Sequence, residues 1–192
     1  MPRSIPSADT ILDTALDLAE SCGWERLYLH DVATALNCDL AAIARHYRQK
    51  DDLVEAWLDR ADTALFERAR GADLAALAPD KRLEELLMAW LGGIAAHRAL
   101  TGQMLLYKLE LGHVHLQVGA LLRVSRTVQW WREAARRHNL HLARVAEESL
   151  LSAVFLRTFV HWLRHPEVAD ADLRALLRRQ LRGGPLAWLL RA

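Results

Sequence analysis

Apolar side chains recur at helical spacing along almost the whole chain, and no stretch alternates as a half-buried strand must. Residues 8–22 place Ile11, Leu12, Ala15, Leu16, Ala19 and Cys22 on one side of a helix, with Ser7 positioned to cap it and Gly23 to stop it. A short helix is expected from about Asp31 to Leu36. After the Asn37-Cys38-Asp39 turn, Asp39 caps another from about Leu40 to Tyr47. "QKDDLVEAWLDRADTALFERARG" reads as a long amphipathic helix that starts with Asp51 and Asp52 at the positive end of its dipole and closes at Gly71. Residues 72–80 form a connection. Helix resumes over about 80–99, weakened at Gly92 and Gly93. Further helices are expected at about 101–111, 114–137, 143–165 and 168–182. The pattern predicts an all-α fold of about nine helices, three short ones in front of a larger bundle. It divides the chain into residues 1–52, a bundle over 53–182 and an apolar, basic tail over 183–192.

Composition narrows the class. With 52% hydrophobic and 26% charged residues, the chain reads as a folded globular protein rather than a disordered one. Two cysteines, Cys22 and Cys38, are too few for a disulfide framework and suit a reducing compartment. No apolar run approaches the roughly 20 residues of a membrane span, and the N-terminus lacks an apolar signal core, so a cytoplasmic location is expected. Residues 1–52 carry five basic and nine acidic side chains, a net of −4, whereas the remainder is net +5. There is no nucleophile–base spacing, glycine-rich phosphate loop or HExxH motif, so neither catalysis nor a cofactor is expected.

The front end resembles the tetracycline-repressor (TetR) family of one-component regulators. The resemblance rests on Ile11, Leu12, Ala15, Leu18 and Gly23 in the first helix, Val32-Ala33 in the second, and the closing "IARHYRQKDDL", which sets Ile43, His46, Tyr47, Lys50 and Leu53 in register. It implies a helix-turn-helix whose second helix enters the DNA major groove, followed by a ligand-binding, dimer-forming bundle. On that reading Leu40, Ala41 and Arg45 face the base edges, while Tyr28, His46, Tyr47, Arg48 and Lys50 meet the backbone of a palindromic operator. Three departures stand out. Asp39 replaces a small polar or basic residue, Ala44 a DNA-touching tyrosine, and Leu27-Tyr28 a capping threonine. Sequence discrimination then rests on Arg45, about 1–3 kcal/mol if it grips a guanine, together with apolar contacts and DNA shape.

The bundle offers two more expectations. Trp57, Met88, Trp90, Met104, Tyr107, Trp130, Trp131 and Trp162 are large apolar side chains suited either to core or to an apolar small ligand. "LLSAVFLRTFVHWL" is apolar nearly all round, and with "LRALLRRQL" it predicts a homodimer interface through Leu150, Val154, Phe155, Phe159, Leu173 and Leu177. The histidines His113/His115, His138/His141 and His161/His165 do not assemble a tetrahedral ligand set, and no metal is expected.

The back half also resembles the ubiquinone-biosynthesis lipid-binding proteins that share the TetR fold, through Trp130, Thr158, Trp162, Leu163 and the Arg60–Leu65 stretch. That resemblance implies an alternative: an isoprenoid- or lipid-binding accessory protein that does not read DNA and docks on a membrane. The docking end would be the tail, with Arg178, Arg179, Arg182 and Arg191 beside Leu186, Trp188, Leu189 and Leu190. The other reading of the tail is that it folds back and covers core.

Overall fold

The computed structural model describes residues 6–109 and 114–191, among which there are ten α-helices and no strand. Helix α1 (Ala8–Cys22) is capped by Ser7, whose Oγ accepts the Thr10 N–H at 3.1 Å. It stops at Gly23, where a φ of 84° favours glycine. Helices α2 (Leu29–Ala35) and α3 (Leu40–Ala44) follow, and then the long α4 (Lys50–Ala69). After a 3₁₀ turn at Leu74–Ala76 come α5 (Pro79–Gly93), a second 3₁₀ turn at Ala95–His97, α6 (Arg98–Lys108) and α7 (Val114–Ala134). The chain ends in α8 (His141–Arg164), α9 (Asp170–Leu181) and α10 (Gly184–Arg191).

All nine expected helices are present, and the tail forms a tenth. Two boundaries differ from the sequence reading for identifiable reasons. Helix α3 closes at Ala44 because the chain bends there to drop Tyr47 into the core. The helix expected over 80–99 breaks after Gly93, where α5 crosses α4 so closely that a Cβ on Gly93 would lie 2.7 Å from the Ala64 Cβ. Residue 52, the expected boundary, falls within the first turn of α4.

A continuous apolar core runs from Ile11 on α1 to Leu190 on α10. At its centre Trp90 meets Phe155 and Phe159 edge-on, with centroids 5.0 and 5.1 Å apart. Beside them Trp131 is fully buried and donates its Nε1–H to the Leu83 carbonyl at 2.9 Å. A buried indole needs such an acceptor.

The tail packs onto α8, α5 and α9, burying Leu186, Leu189 and Leu190 and leaving Trp188 outside. A buried charge cluster pins it. Glu147, fully enclosed, accepts from Arg132 Nε at 3.0 Å, Arg137 Nε at 2.6 Å and Asn139 Nδ2 at 3.1 Å. Arg137 then donates to the Leu189 carbonyl at 2.7 Å, so the α7–α8 turn holds the end of α10. The apolar side that would face a bilayer is occupied by the protein's own core. No helix among the described residues is long and apolar enough to cross a membrane.

Candidate functional site

The link between α2 and α3 is built by its sequence. Asn37 adopts a φ of 50°, a left-handed conformation that Asn tolerates. Around it Cys38 N–H bonds the Ala33 carbonyl and Asn37 N–H the Thr34 carbonyl, closing α2 with a Schellman motif. Asp39 Oδ1 then accepts the Ala42 N–H at 2.8 Å and starts α3. Ala42 and Ile43 face the core, which turns Leu40, Ala41, Ala44 and Arg45 outward on one face. Arg45, His46 and Arg48 are all exposed beside it. At the start of α2, the exposed Tyr28 ring stacks on His30 with centroids 5.3 Å apart. His30 escaped the sequence reading, although its place two residues past Tyr28 at a helix start was a usable signal.

Two expected DNA contacts point elsewhere. Tyr47 is buried, and its hydroxyl donates to the Ala8 carbonyl at 3.0 Å, tying the end of the motif to the start of α1. Burial first, and then the Asp9 carboxylate, push its pKa up. The stability carried by the protonated phenol is therefore complete below the ordinary tyrosine range and lost as pH rises through the raised value. Tyr47→Phe is expected to cost roughly 0.5–1.5 kcal/mol of stability and to flatten that alkaline loss while leaving DNA affinity unchanged. Urea melts at several pH values and a DNA titration check this. Lys50 also turns inward. Its Nζ donates to the Trp24 and Glu25 carbonyls, the latter at 3.1 Å, and lies over the Trp24 and Tyr107 rings at 5.1 and 5.4 Å. Desolvation lowers its pKa. Its ammonium satisfies these carbonyls at the seam between the front helices and the bundle instead of reaching outward for phosphate.

The acidic excess of residues 1–52 is spent largely on that seam. Arg60 pairs with Asp13 at 2.5 Å and Asp9 at 3.4 Å, His97 Nδ1 lies 2.8 Å from Glu20 Oε1, and the buried Lys108 reaches Asp51 at 2.9 Å. Asp39, the carboxylate beside the outward face of α3, is occupied as a helix cap. The net charge of this segment thus does not describe its outward face, where Arg45 and Arg48 stand.

Along α4, Asp51, Glu55, Asp59 and Asp62 form a row at helical spacing, met by cations from α6 and α7. Lys108 lies 2.6 Å from Glu55, Arg126 lies 3.1 Å from Glu55 and 3.2 Å from Asp59, and Arg123 contacts Asp59 and, at 2.8 Å, Asp62. Asp62 also accepts from Trp90 Nε1 at 2.8 Å and Thr127 Oγ1 at 3.2 Å. Burial pushes its carboxyl up, against the pull of Arg123 and these two donors.

Lys108 and Arg123 are at the same time walls of a cavity of about 310 Å³ enclosed by α4 to α8. Gln117 and Thr127 add two polar groups, and the rest of the wall is apolar, with Leu58, Trp90, Phe155 and Phe159 inside and Leu121, Leu156 and Val160 towards the surface. Larger clefts beside Gln103 and beside Pro79 are lined by charged groups such as Glu25, Asp80 and Arg182 and lack such an apolar wall.

The crystal structure of the TetR transcriptional regulator from Nitrosomonas europaea is similar to this fold, with a TM-score of 0.81 and 40% sequence identity over 94% of this chain and 98% of that one. This chain belongs to the TetR family. A bacterial regulatory protein in the tetR family from Rhodococcus RHA1 is 19% identical, with a TM-score of 0.47 over 96% of this chain and 95% of that one. No protein-family model and no curated protein matches the chain.

Of the eight large side chains expected around a ligand, this TetR-family chain brings only Trp90 to the apolar cavity. Trp57 donates to Thr101 Oγ1 at 2.8 Å, Trp131 serves Leu83, and Met88 and Met104 are buried in the core. Tyr107 lies beside Lys50, Trp130 meets Phe66 on the outside, and Trp162 packs between Phe159 and Arg98. Bulk selected these residues, but the indole N–H groups of Trp57 and Trp131 find acceptors in the packed interior, where Met88 and Met104 also lie. Arg123, Lys108, Asp62 and Glu147 were missed, although the three- and four-residue spacing of the α4 carboxylates was visible.

The expected dimer residues need a similar correction. Val154, Phe155, Phe159, Leu173 and Leu177 are buried within one protomer, and Leu150 is half-buried. Helix α8 is apolar on both sides, and those residues form its inner side. Its outward side carries Leu142, Val145, Ala146, Ser149, Ala153, Leu156 and Val160. The rings of His161 and His165 stand 4.4 Å apart, while His113 lies outside the described residues. Among the described residues no group of three or more potential metal ligands occurs.

Proposed function

We propose that this TetR-family chain is a cytoplasmic, DNA-binding transcriptional regulator, not an enzyme, and works as a homodimer controlled by an apolar small ligand. The observation that carries the reading is the near full-length similarity, at 40% identity, to a transcriptional regulator. An exposed α3 face with Arg45 at its end supports the DNA-binding part. Arg45 reads a base edge, Leu40 and Ala41 contact thymine methyls, and Tyr28, His46 and Arg48 position the backbone. Tyr47 ties the motif to α1, and Lys50 holds the front helices against the bundle. The bundle and the front three helices act as separate working units joined through α4.

Dimerisation uses the outward row of α8. Seven apolar or small side chains spaced over a 24-residue helix would otherwise face water. The ligand enters the cavity beneath Leu121, Leu156 and Val160. Because Lys108 and Arg123 form part of its wall and hold the α4 carboxylates, a ligand that displaces them shifts α4, and Lys50 passes that shift to the end of α1. The liganded dimer then holds its recognition helices away from the roughly 34–36 Å separation of successive half-sites.

Arg45→Ala tests the DNA assignment. Discrimination between operator and scrambled duplex is expected to fall by about 1–3 kcal/mol, with nonspecific affinity changing much less, in titrations at fixed salt. Undiminished discrimination would remove Arg45 from the reading role. The lipid-binding alternative gains nothing from the comparisons, and the apolar side of the tail it needs is folded inward.

A further inference from the structure

We infer that the cavity selects an uncharged, two-ring-sized apolar molecule bearing one hydrogen-bond acceptor, to which the Nε–H of Arg123 donates. The inference rests on the ligand-cavity reading above and adds the chemical class of the ligand. Arg123 lines the cavity and is 95% buried, with 5% of its surface exposed. Its terminal nitrogens are committed to Asp59 and Asp62. Its Nε–H is buried without an acceptor, and among the described cavity-lining residues it is the one side-chain donor left so. A buried N–H without a partner carries the full cost of its lost hydration, so a ligand oxygen that reaches it recovers that cost. The other polar groups nearby serve one another: Thr127 and Trp90 both donate to Asp62.

Charge and size set the remaining limits. Among the described residues, the network beside the cavity pairs the cations Lys108, Arg123 and Arg126 with the carboxylates Asp51, Glu55, Asp59 and Asp62. A ligand carboxylate would add a further negative charge beside these carboxylates and a largely apolar wall, where an uncompensated charge is expensive. A neutral carbonyl oxygen accepts the same hydrogen bond without that penalty. The volume of about 310 Å³ is close to twice the ~150 Å³ of a cavity that holds benzene. That admits a fused bicycle.

The test uses three probes with similar two-ring bodies: tetralin without a polar group, tetralone with a neutral carbonyl, and naphthoate with a carboxylate. Calorimetric titration of the full chain is expected to rank tetralone about tenfold tighter than either of the others, the effect of one hydrogen bond to a charged donor. Arg123→Lys keeps a positive charge for Asp59 and Asp62 but removes the Nε–H, and the tetralone advantage is expected to shrink to about threefold or less while tetralin binding persists. Leu121→Trp fills the cavity mouth and is expected to abolish binding of all three. Equal affinity for tetralin and tetralone, tighter naphthoate, or an advantage that survives in Arg123→Lys would overturn the acceptor assignment while leaving the cavity in place. Absence of binding by every probe, or binding indifferent to Leu121→Trp, would overturn the cavity reading and this inference with it.

Discussion

Replacing Glu147 by alanine is expected to remove about 3–5 kcal/mol of stability, a large share of what a domain of this size possesses. The carboxylate is wholly enclosed and stands between Arg132 and Arg137, whose side chains are 3% and 7% exposed. Without it two guanidiniums remain in a dry setting, sharing backbone carbonyls and the more distant Glu133. An intact buried pair is weak evidence of net stabilisation, but deletion of one partner is costly because the other charge stays behind. The damage should spread first to α10, because Arg137 holds the Leu189 carbonyl. Urea unfolding followed by tryptophan fluorescence measures the loss, and limited proteolysis of the tail reports the local loosening. Glu147→Gln keeps one acceptor and should fall between parent and alanine. An unchanged midpoint for Glu147→Ala would mean the cluster does not bear on folding as described.

Leu156→Glu should weaken the proposed homodimer by several kcal/mol, on the order of a thousandfold in dissociation constant. Leu156 is 42% exposed in one protomer, in the middle of the outward row of α8. On a two-fold interface the same residue comes from both copies, so the substitution places two carboxylates on one apolar surface. Because the side chain points outward, the monomer should keep its melting behaviour at a fixed monomeric state. The inner residue Phe155 provides the contrast: it lies against Trp90 and Trp131, and Phe155→Ala should unfold the bundle rather than separate copies. Analytical ultracentrifugation over a concentration series distinguishes the two. A Leu156→Glu protein that sediments as the parent does would move the interface elsewhere.

How much of this was legible beforehand follows from what periodicity encodes. Spacing of apolar residues located every helix of the front and the bundle, because burial of one face is the common requirement that shapes all of them. It also placed Arg45, Arg48 and His46 on the outside. It failed wherever a helix is apolar on two sides: α8 offers Phe155 and Phe159 inward and Leu156 and Val160 outward, and composition alone does not say which side the protomer itself consumes. It failed again for long polar side chains. Tyr47 and Lys50 sit in a signature that reads as DNA-facing, yet each turns inward to a backbone carbonyl, of Ala8 and Trp24 respectively. The buried charges were missed for a related reason. Lys108, Arg123, Asp62 and Glu147 are tolerable inside only because partners from distant helices arrive together, and that meeting is a property of the tertiary fold. The acidic front is the same lesson in reverse, since Arg60, His97 and Lys108 from beyond residue 52 answer much of it.

On the proposed function, the α3 face reads DNA although it presents Leu40, Ala41 and Ala44 around a single arginine. The most direct measurement is capture of genomic fragments by the purified protein at low and near-physiological salt, with Arg45→Ala run in parallel. A few palindromic fragments are expected, whose enrichment survives the higher salt and disappears in the Arg45→Ala protein. Smeared capture that vanishes on adding salt, or capture identical in both proteins, would contradict the proposed function.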